Sequence, residues 1–193
     1  MKPTAVRTRV LVGFVMVATA AVIGFRHGMG WWRGHRHDAL IRTAASQHGV
    51  PAELVKAVVW RESRFDEHAM GSKGEIGLMQ VTADAAQEWA DKRRDRDFRP
   101  MHLLDPATNL QAGSFYLAKV ARRYAGTDRP FAYALADYNA GRGNVLRWMK
   151  GPARTNSEAF LGMMSFPGTR EYVRSILARA PRYRADFAEH AGP

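Results

Sequence analysis

The apolar residues of this chain recur at intervals of three and four, and runs of alternating β-branched residues are missing. Leu40, Ile41, Ala44 and Ala45 share one helical face, and Leu54, Val55, Val58 and Val59 share another. Asp38 is placed to cap the first of these helices, Gly49 to stop it, and Pro51 to open the second, which ends near Glu62. A glycine-punctuated loop, 71–77, leads into a third helix through 83–89. The segment 91–99 is charged with both signs and reads as a solvated loop. Further helices are expected at about 106–124, 130–138, 143–148 and 170–179. The pattern predicts an all-α domain.

The N-terminus differs from the rest in charge. The chain has 193 residues and a formal net charge of +11, and residues 1–37 hold six cations and no acid. The remainder therefore balances 23 cations against 18 acids. Lys2, Arg7 and Arg9 precede an uncharged, mostly apolar run at 10–25. At 1.5 Å per residue that run makes about 24 Å of helix, short of a hydrocarbon core of ~30 Å. Extension to Trp31 and Trp32 supplies the length, and paired tryptophans suit a membrane interface. Residues 10–32 are thus expected to be one N-terminal hydrophobic helix, a signal anchor that holds the domain in the cell envelope, periplasmic or on the outer face of the inner membrane. The small-x-small pattern Ala18-Thr19-Ala20 keeps a cleaved signal peptide, and a secreted product, as the alternative. The chain divides into 1–37, anchor or signal peptide plus basic linker, and 38–193, the domain.

Basic charge by itself admits nucleic acid, anionic lipid or an anionic wall polymer as partner. No phosphate-loop or dinucleotide glycine motif and no zinc-finger spacing accompanies it, so nucleic acid is not expected. Cysteine is absent, which excludes disulfides and thiol catalysis. His35 and His37 have no third ligand close in sequence, and read as part of the solvated linker rather than a metal site.

Glu62 stands out chemically. It closes an apolar helix, directly after Trp60-Arg61 and before Ser63. A carboxyl among apolar walls resists ionisation and becomes a useful proton donor near neutral pH. General-acid cleavage of a glycosidic bond needs that property.

Five short motifs then follow in order. They are Glu62-Ser63; Gly77-Leu78-Met79-Gln80; the stretch 109–117 with Asn109, Gly113, Tyr116 and Leu117; Tyr138-Asn139-Ala140-Gly141; and Arg170-Glu171-Tyr172-Val173. Together they resemble the soluble lytic murein transglycosylase family, whose catalytic domain is similar to goose-type lysozyme. The resemblance covers about 38–174. It implies a lysozyme-like transglycosylase domain that cleaves peptidoglycan glycan strands between N-acetylmuramoyl and N-acetylglucosaminyl residues. Glu62 is then the lone acid and base, and a 1,6-anhydro-muramoyl end is the product. It further implies substrate contacts from Ser63, Met79, Gln80, Tyr138, Asn139 and Tyr172. No cofactor and no metal is implied, because proton transfer and an internal nucleophile suffice.

Several residues keep two readings. Ser63 is either a substrate ligand or a helix-end hydroxyl, and Met79 and Leu78 are either site or core. Gly77 serves either a positive φ or close approach to a sugar. Glu75, where the family often carries a small residue, is either a rim charge or a second catalytic group. Asp66 and Glu67 read as solvated, and Phe115 and Tyr116 as core aromatics. Val81-Thr82-Ala83 replaces the family's proline-containing turn, so the loop there is expected to be reshaped. Two other functions remain open: a hydrolytic muramidase on the same scaffold, and a non-catalytic wall-binding module.

Overall fold

The computed structural model describes residues 34–188 together with Met16 and Thr19. The expected anchor at 10–32 therefore lies outside the described residues, apart from those two. A compact unit begins at His37. It comprises α1 (Asp38–His48), α2 (Ala52–Ser63), α3 (Ala83–Arg93), α4 (Pro106–Arg122), α5 (Pro130–Ala140), α6 (Arg142–Trp148), α7 (Ser157–Met163), α8 (Pro167–Arg179) and α9 (Ala185–Ala188). Short 3₁₀ turns occupy Pro100–Leu104, Gly151–Arg154 and Ala180–Tyr183. The described residues form no strand; two isolated bridges, Met70 with Ile76 and Ile76 with Val81, fold the loop between α2 and α3 back on itself. The all-α expectation holds.

The long α4 carries the packing, with α1, α3 and α5 laid against it. Helix α5 explains itself by composition. Its sequence PFAYALADYNA is apolar nearly all round, and residues 132–137 are all buried. A helix without a polar face belongs inside a core. Its other flank meets α8, which also packs on α2. The C-terminal ends of α2 and α5 are thereby brought toward one side chain of α4 and one of α8.

Three local expectations are corrected. Asp38 does not cap α1. It is the first helical residue, preceded by His37, and its carboxylate instead meets Lys56 Nζ at 2.7 Å. Helix α3 runs on to Arg93, so part of the charged segment at 91–99 is helical. Helix α7 escaped the sequence reading because its apolar face is short; Asn156 caps it, its side-chain oxygen accepting from the Ala159 amide at 2.8 Å. After Gln80 the chain turns directly into α3: Val81 pairs with Ile76, and Thr82 accepts from the Ala85 amide as the N-cap of α3.

Lys56 was not anticipated. It lies on the otherwise apolar face of α2 with no exposed surface, and its ammonium reaches Asp38 and Asp186, each at 2.7 Å. The rings of Tyr183 and Phe187 stand 5.1 and 5.6 Å from the same nitrogen. A buried cation is tolerated only when paired in this way. The pairing fastens the C-terminal turn onto α1 and α2. His37 and Glu67, both read as solvated, instead lie 3.3 Å apart, with the histidine buried.

Candidate active site

Helix α2 ends abruptly one residue after Glu62. Arg64 and Phe65 take φ of 54° and 65°, consecutive left-handed positions without a glycine. Such residues persist where packing over-determines them. Phe65 is buried edge-on against Tyr183, and the Arg64 guanidinium lies 3.9 Å from the centre of the Trp60 ring. The strained turn leaves the Glu62 carboxyl at the helix end, facing a cleft of about 300 Å³.

Beside Glu62 the cleft is lined by the loop 71–82, with Gly71, Ser72, Glu75 and Gln80 along it. Ala85 of α3, Tyr116 of α4, and Tyr138 and Asn139 of α5 complete the lining. Tyr172 of α8 donates its hydroxyl to Glu62 Oε1 at 2.6 Å and is buried rather than among the residues that line the cleft. Burial raises the Glu62 pKa to about 7; the Tyr172 hydrogen bond and Arg61 oppose that rise, and Glu75 adds to it. A carboxyl with that value holds its proton at neutral pH yet can release it. Burial drives the Tyr172 hydroxyl well above its ordinary value, helped by the nearby Glu62 charge, so it remains a donor.

The segment 76–80 is held from behind. Asn109, fully buried on α4, donates from Nδ2 to Ile76 O at 2.7 Å and Leu103 O at 2.9 Å, and accepts from the Met79 amide at 2.9 Å. Gly77 has φ of 75°, and a Cβ there would stand 2.3 Å from Asn109 Nδ2 and 2.7 Å from Leu103 O. Its lack of a side chain therefore serves both the turn and close approach, but to protein rather than to a sugar.

The sequence-predicted residues divide accordingly. Glu62, Gln80, Tyr138 and Asn139 line one cleft. The Gln80 amide donates both its hydrogens to backbone, to Ala69 O at 3.1 Å and Gly77 O at 3.0 Å, leaving only Oε1 for the cleft. Asn139 Oδ1 accepts from Thr169 Oγ1 at 2.8 Å, which leaves its NH₂ group. Tyr138 donates to Met79 O at 2.8 Å and stacks edge-on with Tyr116, the centroids 5.6 Å apart. Ser63 and Met79 turn away from the cleft. Ser63 Oγ donates to Leu78 O at 2.9 Å, with Val59 O also in reach at 3.2 Å. Met79 is fully buried, with its sulfur against Gly113 and 4.0 Å from Ser114 Oγ; only its backbone serves the site. Tyr116 joins the cleft although it read as core. Its place three residues after Gly113 on α4 was the available signal, but one aromatic at helical spacing cannot announce which wall it faces.

Among the other acids, Asp137 is structural. It is buried, paired with Arg123 at 3.1 Å, and accepts the Tyr124 hydroxyl at 2.5 Å. Among the described acids, Glu75 joins Glu62 in the cleft.

The described residues are helical, and the acid that ends α2 lies half-buried in an open cleft, as in the lysozyme-like class of folds. The transglycosylase SLT domain model matches residues 39–161, and the chain belongs to that family. It is 34% identical over 122 residues to membrane-bound lytic murein transglycosylase C of Yersinia enterocolitica, a match covering 60% of this chain and 34% of the relative. To the protein of the same name from Sodalis glossinidius it is 32% identical over 147 residues, covering 72% and 40%. The chain thus spans between a third and two fifths of the length of these curated relatives. Among solved structures it is similar to the lytic transglycosylase Slt of Pseudomonas aeruginosa, with TM-score 0.70, 28% identity, and coverage of 78% of this chain and 24% of that one. The 70 kDa soluble lytic transglycosylase of Escherichia coli gives TM-score 0.70 and 28% identity, over 79% and 24%. Tyr172 lies beyond the residues that the family model matches.

Proposed function

We propose that this chain is a peptidoglycan lytic transglycosylase with Glu62 as its single acid and base. The observation that carries the reading is the Glu62 carboxyl itself, half-buried in the cleft, hydrogen-bonded by Tyr172 and raised to a pKa of about 7. The names of the curated relatives and solved neighbours support the substrate class.

In the first step Glu62 gives its proton to the oxygen that links a muramoyl to a glucosaminyl residue, and the C1–O bond breaks. The muramoyl N-acetyl oxygen closes onto C1 from the opposite face as the bond leaves. In the second step ionised Glu62 takes the proton of the muramoyl 6-hydroxyl, O6 bonds to C1, and the N-acetyl group is released. The product is a 1,6-anhydro ring, and Glu62 is protonated again. An internal hydroxyl needs no translational entropy to reach C1, so one carboxyl is enough. On this reading the Asn139 NH₂ and Gln80 Oε1 bind sugar substituents, and Tyr172 holds the carboxyl in position through both steps.

The site of action is the cell envelope, with residues 10–32 as the anchor and 38–193 as the catalytic domain. The relatives carry the words membrane-bound in their names, which supports the location. Among the described residues no helix is long and apolar enough to cross a membrane, and the anchor segment falls outside them. Digestion of purified sacculi followed by mass spectrometry tests the reaction. Anhydro-muramoyl ends are expected; ends heavier by one water identify a muramidase, and no release of fragments removes the enzymatic reading.

A further inference from the structure

Glu75 and Gln80 bring two acceptor oxygens to the same face of Gly71. A Cβ on Gly71 would stand 2.3 Å from Glu75 Oε2 and 2.8 Å from Gln80 Oε1. The space a side chain would take is occupied by these two oxygens. The orientation of Gln80 is fixed, because reversing its amide would set the oxygen against the carbonyls of Ala69 and Gly77. Glu75 Oε2 accepts only the Lys73 amide, at 2.9 Å. Among the described residues no cationic side chain pairs with Glu75, and none lines the cleft, although the chain carries a net charge of +11. Its charged groups there are Glu62 and Glu75 alone.

Resting on the reading of Glu62 as the catalytic acid, we propose that Glu75 and Gln80 Oε1 form a specificity site for a protonated amine on the glycan. An ammonium offers three donors and a positive charge to two acceptors gathered beside Gly71. Two parts of peptidoglycan present such a group: a glucosaminyl residue that has lost its acetyl group, and the side-chain amine of a diamino acid in the peptide stem. A fully N-acetylated, stem-free strand presents neither. Loss of the acetyl group from the glucosaminyl residue leaves the muramoyl N-acetyl group free to assist bond cleavage.

The test compares kcat/KM of the full-length chain on three glycan preparations. The first is stem-free and fully N-acetylated, the second is stem-free with its glucosaminyl residues de-N-acetylated, and the third is fully N-acetylated with stems bearing a free diamino-acid amine. One amine-bearing preparation is expected to exceed the first by about tenfold or more at low salt, with the advantage shrinking as ionic strength rises. Which of the two exceeds it identifies the source of the amine. In Glu75→Gln, which keeps the shape and removes the charge, the ratio is expected to fall toward one. Equal wild-type rates on all three preparations, an advantage indifferent to salt, or an advantage intact in Glu75→Gln overturns the assignment, while anhydro ends on any of them leave the peptidoglycan reading standing. No cleavage of any preparation overturns both. The wild-type ratio and its salt dependence decide the matter even if the variant fails to fold.

Discussion

The hydroxyl of Tyr172 donates to Glu62 Oε1 across 2.6 Å, joining α8 to the end of α2 over 110 residues of sequence. This bond favours the ionised carboxyl and so restrains the rise that burial imposes. In Tyr172→Phe the Glu62 pKa is expected to climb further above about 7, carrying the alkaline limb of the kcat/KM profile to higher pH. A rate loss of roughly tenfold at neutral pH accompanies it, the worth of one hydrogen bond that also fixes the acid's position. A loss of rate with an unmoved limb would assign Tyr172 to packing alone.

Glu62→Gln keeps the Tyr172 contact through the amide oxygen and removes the proton. Turnover on sacculi is expected to fall by at least ~10² to 10⁴, since one group serves both steps. Stability changes in the opposite sense. The folded pKa of about 7 lies above the ordinary 4.5, so the folded state holds this proton more tightly than the unfolded chain does. The resulting stabilisation is present below pH 4.5 and is lost as pH rises through about 7. It amounts to about 3 kcal/mol. Relative to wild type, the variant should therefore gain thermal midpoint between pH 4 and 8, by several degrees on the order of 2–4 °C per kcal/mol.

Gln80 and Asn139 are expected to differ. Gln80→Ala leaves two loop carbonyls without their donor and should lower both the midpoint and the activity. Asn139 is exposed and bonds only Thr169, so Asn139→Ala should lose roughly three- to a hundred-fold in kcat/KM with the midpoint within a few degrees of wild type. Scanning calorimetry beside turnover on both variants checks the contrast.

Lys56→Ala strands two carboxylates that share one buried ammonium. Breaking such a pair costs about 3–5 kcal/mol. The midpoint should drop on the order of 10 °C. Chemical denaturation at 25 °C should show the same loss, with the slope unchanged if the native state is otherwise intact.

The helical class and most of the helices were legible because their apolar faces repeat at the helical period, and because Gly49, Pro51, Pro106 and Pro130 mark their ends. The motifs and the family resemblance they carry grouped Glu62, Gln80, Tyr138 and Asn139, and these four line one cleft. Other features were not readable from the sequence. Lys56 sits where the pattern demands an apolar residue, and only Asp38 and Asp186, 18 and 130 residues away, explain it. Ser63 and Met79 belong to motifs of the site, yet Ser63 serves it by holding the Leu78 carbonyl with its hydroxyl, and Met79 through its backbone. A motif records which residues act together; it does not record which side chains face the cleft. The convergence of Glu75 and Gln80 on Gly71 depends on loop coordinates that no periodicity encodes.

The loop between α2 and α3 has two halves with different freedoms. Residues 76–79 are anchored from three helices: Ile76 and Met79 by Asn109, Leu78 by Ser63, and Met79 again by Tyr138. Residues 71–75 close on themselves, through the Gly71 amide to Glu75 O at 2.7 Å, and Ser72 and Lys73 are open to solvent. Evolution, or a randomised library, can therefore rewrite the lip of the cleft while the floor stays fixed. Substitutions at 72, 73 and 75 would change which strands are accepted and would seldom be lost to misfolding, whereas the same diversity at 76–79 would return mostly insoluble clones. One loop thus holds an adaptable part and an inherited part, separated by a single peptide bond.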